Sequence, residues 1–261
     1  MPKLAANLSW IYQEVPLLQR FGAAAAHGFQ AVEMLFPYEA AATDIAAELK
    51  KHRLTQALFN LPPGDWSKGE RGMAALPGRE ADFAAALEKA LEYAQVLECR
   101  TLHVMSGLVP PGADMQAMHR TFVANLSKAC DRTARSGITL VLEPINHRDI
   151  PGYFTNTTDQ VKKIIDEVGA PHLKLQLDLY HLQVTEGDLT RRTERLFPIT
   201  GHVQIAGNPD RNEPDIGEAN HLYVLDVLDR LGYEGYVGLE YKPRTTTAAG
   251  LGWAAKYGIK V

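Results

Sequence analysis

Leucine recurs at every second position in Leu173, Leu175, Leu177 and Leu179, and Lys174, Gln176 and Asp178 stand between them. A period of two is the mark of a strand with one buried face. The polar face of such a strand meets water in an open surface sheet, but lines the lumen in a closed barrel. The rest of the chain decides between the two. Strand-like runs at 3–8, 30–36, 54–60, 100–107, 138–146, 173–178, 201–207 and 236–241 alternate with helical periodicity. The helices are expected from Glu14 to His27, at 38–53, from Arg79 to Leu97, from Met115 to Ser136, from Thr158 to Val168, at 188–196, from Glu218 to Leu231 and from Thr246 to Tyr257. Alternation of this kind predicts parallel strands with helical crossovers.

Eight strand–helix units in 261 residues predict an α/β fold, a single (β/α)8 TIM barrel of the whole chain, 1–261. A doubly wound open sheet is the rival, but it usually has fewer strands, and no glycine fingerprint follows the first strand. In the barrel, Leu173, Leu175 and Leu177 face the helices, while Lys174, Gln176 and Asp178 point inward. Asp178 then lies at the C-terminal end of the strand, where this fold keeps its catalytic groups.

The same phase applied to the neighbouring strands sends Glu143, Gln204, Glu240 and Lys242 to the lumen side. Strands five to eight thus each deliver an oxygen-bearing side chain to the mouth: Glu143, Asp178, Gln204 and Glu240. Three buried carboxylates repel and raise one another's pKa, and a divalent cation removes the conflict. Three carboxylates and an amide oxygen are hard donors suited to Mg2+ or Mn2+. His181 is expected in the loop leaving strand six, and Lys242 could meet an anionic substrate.

Composition narrows the partners. The hydrophobic share of 46% supports a full core, and a net charge of −4 without a basic block argues against nucleic acid. No run of ~18 apolar residues is present, so no membrane span is expected. The N-terminus lacks the apolar stretch of a signal peptide. The two cysteines, Cys99 and Cys130, form no CxxC pair. Together these point to a cytoplasmic protein. Homo-oligomerisation is left open.

Over nearly its whole length the chain resembles the hydroxypyruvate isomerase family of the xylose-isomerase-like barrels. The resemblance rests on "AANLSW", "FPY", "PPGDWSKGERG", "LPGRE", "LEPINH", "QLDLYHLQ", "HVQIAGNPDRNEPDIGE" and "GLEYKPRTTTAAGLGW". "ALPGREADF", "HVMSG" and "HVQIAGNPDRNEPD" lean toward the branch called 2-oxo-tetronate isomerase, whereas "EPIN" leans toward the hydroxypyruvate branch. The resemblance implies that Glu143 and Glu240 are metal ligands and also the proton donor/acceptor pair, with Asp178 and Gln204 completing the metal site. It further implies that His181 and Arg211 contact substrate oxygens. The expected reaction moves a carbonyl between adjacent carbons of a small 2-oxo sugar acid through a cis-enediolate.

A substrate carboxylate needs a cation, and Arg211, Lys242, Arg71 and Arg79 are the candidates. Arg71 lies in the 18-residue loop 61–78, which also carries Trp66. Loops of that length are commonly functional, and a lid that excludes water is expected; a packed Ω-like loop is the alternative. A sugar-acid epimerase would use the same two carboxylates, but related epimerases tend to carry histidine where Gln204 stands. An abasic-site endonuclease would need a His-rich multi-zinc site and a basic face. A non-catalytic binding protein gives no reason for paired lumen carboxylates.

Overall fold

A computed structural model describes residues 1–260. Eight parallel strands close into one barrel in sequence order, β1 to β8. They are β1 Lys3–Asn7, β2 Ala31–Met34, β3 Thr55–Asn60, β4 Thr101–His103, β5 Thr139–Leu142, β6 Leu173–Asp178, β7 Thr200–Ile205 and β8 Tyr236–Leu239. Helices α1 Leu17–Ala26, α2 Ala42–His52, α3 Glu80–Leu97, α4 Met115–Thr133, α5 Thr158–Val168, α6 Leu179–Thr185, α7 Leu189–Leu196, α8 His221–Arg230 and α9 Thr247–Gly250 surround it. No described helix is long and apolar enough to cross a membrane. Cys99 and Cys130 are both buried free thiols.

The alternation at β6 has its barrel meaning. Leu173, Leu175 and Leu177 are buried in the same cluster as Val203, Ile205, Val237 and Leu239. Burial of each such side chain contributes about 1.5–3 kcal/mol. The lumen face is polar and equally dry: Gln176, Asp178, His202 and Gln204 are all buried.

Three differences from the expected elements matter for the site. β5 and β8 end at Leu142 and Leu239, so Glu143 and Glu240 sit one residue past their strands. Second, the segment after β6 is helical, and His181 lies on α6 rather than in a loop. Asp178 starts that helix, because its carboxylate accepts from the backbone N–H groups of Tyr180 (2.7 Å) and His181 (3.4 Å). Third, the expected C-terminal helix is only the short α9, followed by a 3-10 turn over Gly252–Tyr257.

Below the mouth lies a charged residue that the phase argument for strands five to eight did not reach. Glu33 of β2 is fully buried in the lumen. Its carboxylate accepts from Asn7 Nδ2 at 2.9 Å and Gln204 Nε2 at 2.8 Å, and it pairs with His202 Nε2 at 2.6 Å. Room for it comes from Gly238, where a Cβ would lie 2.1 Å from Glu33 Oε1. Any side chain there would force this carboxylate out of its place.

The 61–78 loop is anchored along its second half. Gly72 pairs with Ser106 across an isolated bridge, and Ala75 N–H donates to the Ser106 carbonyl at 2.8 Å. Gly72 has φ +101°, and a Cβ there would lie 2.4 Å from the Met105 carbonyl oxygen. Met73, Ala74 and Ala75 are buried. The projecting part is therefore the stretch around Trp66–Lys68, a 3-10 turn capped by Asp65.

Candidate active site

At the C-terminal end of the strands lies a cavity of about 330 Å³. Its walls carry Glu143, Glu240, His181, His103 and Arg211 from the barrel, with Trp66 and Arg71 from the long loop. The size suits a small molecule. Of the expected residues, Glu143, Glu240, His181, Arg211, Arg71 and Trp66 line the cavity. Asp178 is buried beneath them, with Oδ2 3.6 Å from His181 Nε2. Lys242 is not among the lining residues: its side chain is exposed, because the chain has already left β8 and its backbone N–H donates to the Arg211 carbonyl at 2.8 Å. Arg79 also lies outside, bound to Glu70 and Asp82.

Arg211 is the fixed cation of the site. Its guanidinium donates to Glu240 Oε1 at 2.6 Å, to Asp149 Oδ2 at 2.9 Å and to Asp178 Oδ2 at 3.4 Å. The rings of Trp10 and Tyr180 lie 4.6 and 4.7 Å from its central carbon. Burial works against this charge, but the carboxylates outweigh it and raise its pKa further. Arg71 is different. It lies over the Trp66 ring at 3.6 Å and donates to the backbone carbonyls of Trp66 and Glu70. No carboxylate pairs with it among the described residues.

The acidic groups are shifted strongly. Burial, with Glu240 and Asp178 adding, pushes Glu143 well above the usual carboxylate range. Burial also pushes Glu240 up to about 8, with Arg211 opposing and Asp178 and Glu33 adding. Asp178 is raised by burial against the opposition of Arg211. Glu143 Oε1 is buried without a hydrogen-bond partner. A buried carboxylate oxygen left unpaired is costly, and a cation is one way to satisfy it.

Donor atoms of Glu143, Asp178 and His181 lie within 4.8 Å of one another, close enough to share a metal. Hydrogen bonding, however, assigns His181 another role. Asn146 Oδ1 accepts from the backbone N–H groups of Arg148 at 2.9 Å and Asp149 at 2.8 Å. Its oxygen is thereby pinned, and its Nδ2 must face His181 Nδ1, 2.6 Å away. Nδ1 accepts, so the proton of the neutral ring sits on Nε2. Burial keeps the ring neutral by lowering its pKa well below the usual range, with Arg211 adding. An Nε2–H donates; it does not ligate. Of that group, the carboxylate oxygens of Glu143 and Asp178 are then the ones free to meet a metal. The amide of Gln204 also has a fixed orientation: its Nε2 donates to Glu33 at 2.8 Å, and its Oε1 accepts from Gln176 Nε2 at 2.6 Å.

Several site residues escaped the sequence reading. Trp10, Asp149 and Asn146 lie on connecting segments where no periodicity marks them. His103 and Asn60 close β4 and β3, and strand phase could have found them.

A closed parallel barrel with paired carboxylates and a fixed guanidinium at the C-terminal mouth has the layout of a (β/α)8-barrel enzyme. Residues 21–257 match the family described as Xylose isomerase-like TIM barrel, and the chain belongs to it. The chain is 53% identical over 257 residues to a protein of Cupriavidus necator named 2-oxo-tetronate isomerase, covering 98% of this chain and 99% of that one. It is 43% identical over 257 residues to a hydroxypyruvate isomerase of Escherichia coli, covering 98% and 100%. A solved structure from Brucella melitensis, titled AP endonuclease, family 2, superposes with a TM-score of 0.97 at 51% identity and covers 98% and 99%. The protein is an isomerase.

Two measurements check this geometry. Long-range proton–nitrogen NMR correlations should show His181 as the Nε2–H tautomer, and Asn146→Asp should convert it to Nδ1–H; an Nδ1–H ring in the unaltered protein would refute the assignment. The second is thermal stability against pH, after dialysis against EDTA. Glu240 titrates near 8 when folded and near its ordinary 4.5 when unfolded, so between these values the native state holds more protons. Stability should therefore fall as pH rises from about 5 to 8. Glu240→Gln should flatten part of that slope, whereas equal slopes in the two proteins would contradict it.

Proposed function

We propose that the protein interconverts 2-oxo-tetronate and 3-oxo-tetronate through a cis-enediolate. The observation that carries this reading is the pair Glu143 and Glu240, buried in one cavity with raised pKa values. Such a pair keeps a proton at neutral pH, as acid–base work requires. The choice of substrate follows the name of the Cupriavidus relative at 53% identity. Hydroxypyruvate is the second reading, favoured by the E. coli relative at 43% identity. The same proton transfers would convert it to tartronate semialdehyde.

In this mechanism one glutamate removes the proton from the hydroxyl-bearing carbon and the pair returns a proton to the neighbouring carbon. His181 donates its Nε2–H to a substrate oxygen. Arg211 stays with Glu240, Asp178 and Asp149 and keeps the local charge balanced. Glu143, Asp178, Glu240 and Gln204 would hold Mg2+ or Mn2+, matching their hard oxygen donors. When bound, that cation supplies Lewis-acid polarisation and charge neutralisation. Arg71, stacked on Trp66 and lacking a carboxylate partner, would receive the substrate carboxylate. The ligand class we propose is a small anionic sugar acid and not a nucleic acid, in keeping with a net charge of −4.

The test is a proton NMR time course in D2O with Mg2+ or Mn2+ and each acid in turn. Fast isomerisation of the four-carbon acid with little turnover of hydroxypyruvate is expected. The reverse preference would select the second reading, and no turnover of either would remove both. Arg71→Gln should raise KM about 10- to 100-fold with little change in kcat, the loss of one charged hydrogen-bonding partner. An unaltered KM would place the carboxylate elsewhere.

A further inference from the structure

The cavity wall formed by β3 and β4 has no role in the chemistry described so far. Asn60 and His103 are register partners at the C-terminal ends of these strands, and both line the cavity. Both are buried, at 3% and 1% exposure. Yet Asn60 Oδ1 and both ring nitrogens of His103 have no hydrogen-bond partner. The nearest acid, Glu143 Oε2, stands 3.7 Å from His103 Nδ1, beyond hydrogen-bond length. Three unpaired polar atoms side by side in a dry wall are costly, and a polar ligand in the cavity would satisfy them. In the ring of eight strands β4 lies opposite β8, the strand that Glu240 directly follows.

We infer that His103 is a further catalytic residue, the group that carries the oxygen-bound proton during isomerisation, with Asn60 holding the same substrate edge. This rests on the isomerase reading above. The carbon proton is only half of the reaction: one oxygen must also gain a proton while its neighbour loses one. As a glutamate takes the proton from carbon 3, the carbonyl π pair on carbon 2 moves onto oxygen 2, which accepts the N–H proton of His103; the N–H bonding pair stays on the ring, transiently an imidazolate. When a proton returns to carbon 2, the hydroxyl on oxygen 3 becomes the carbonyl, and its proton goes back to the ring nitrogen. Carbon 2 is reduced and carbon 3 oxidised within one molecule, so no external oxidant or reductant enters, and the imidazole ends as it began. A neutral imidazole carries one N–H donor and one acceptor nitrogen, as such an exchange requires.

The test compares His103→Asn and His103→Phe with the unaltered protein by NMR in D2O. Two rates are read separately: deuterium entry into recovered substrate, which reports carbon deprotonation, and formation of the isomer. Isomer formation should fall about 100-fold in both variants. Exchange should fall much less, so the ratio of exchange to isomerisation rises roughly tenfold or more. A purely structural role would lower both rates together, and that result, or an unchanged ratio, overturns the proposal. Circular dichroism verifies folding, and the smaller, polar Asn variant carries the test if the Phe variant does not fold. Unaltered protein that neither exchanges nor isomerises either acid would overturn the substrate reading itself, and this proposal with it.

Discussion

A carboxylate buried in a barrel lumen needs an answer, either a hydrogen-bond donor or a positive charge. This barrel buries Glu33, Glu143, Asp178 and Glu240, and much of its lumen is arranged around them. Glu33 is answered by Asn7, Gln204 and His202, and by the glycine at 238 that leaves it space. Asp178 is answered by the first backbone N–H groups of α6 and, more weakly, by Arg211. Glu240 is answered at short range by Arg211, and Glu143 keeps an oxygen with no partner. The degree of satisfaction thus falls toward the mouth, where a ligand could complete it.

Acceptor-only groups also set the direction of their neighbours. The Glu33 carboxylate accepts, so Gln204 must turn its NH2 toward it and leave Oε1 to accept from Gln176. Two backbone N–H groups do the same for Asn146, which then forces the tautomer of His181. In both cases an amide at the site, whose two ends look nearly alike, has its orientation fixed by a partner with only one hydrogen-bonding sense. Distance alone groups His181 with the metal-capable carboxylates; the sense of its hydrogen bonds separates it from them.

Much of this could be read from the sequence because a strand has a strict period. Leucine at 173, 175 and 177 fixed the outer face of β6, and the same count placed Glu143, Asp178, Gln204 and Glu240 on the inner one. Nothing in the strand period marked where each strand stops. Lys242 shares the phase of Glu240, but β8 ends at Leu239 and the chain turns to pair with Arg211, so the phase no longer holds there. Likewise the helix α6 was hidden because Asp178 ends a strand and caps a helix at once, leaving no turn residues between them. Glu33 and His103 lay on strands two and four, where the same period would have turned them inward. Asp149 and Trp10 lie on connections, where position is set by long-range hydrogen bonding and stacking, not by local pattern.

The loop after β5 shows how much chemistry a connection can hold. Asn146 sets the proton of His181, and three residues later Asp149 holds Arg211 at 2.9 Å while accepting from the Tyr180 hydroxyl at 3.1 Å. That hydroxyl belongs to one of the two rings that lie 4.6 and 4.7 Å from the same guanidinium. The backbone N–H of Asp149 is in turn one of the two donors that pin Asn146. The two functions are therefore mechanically joined: displacing the loop would release the amide that fixes the imidazole and the carboxylate that fixes the arginine together. The same connection begins at Glu143, so one of the paired glutamates stands on this stretch of chain as well. The "EPINH" segment thus carries a reacting group and, three residues on, the amide that sets the proton of His181.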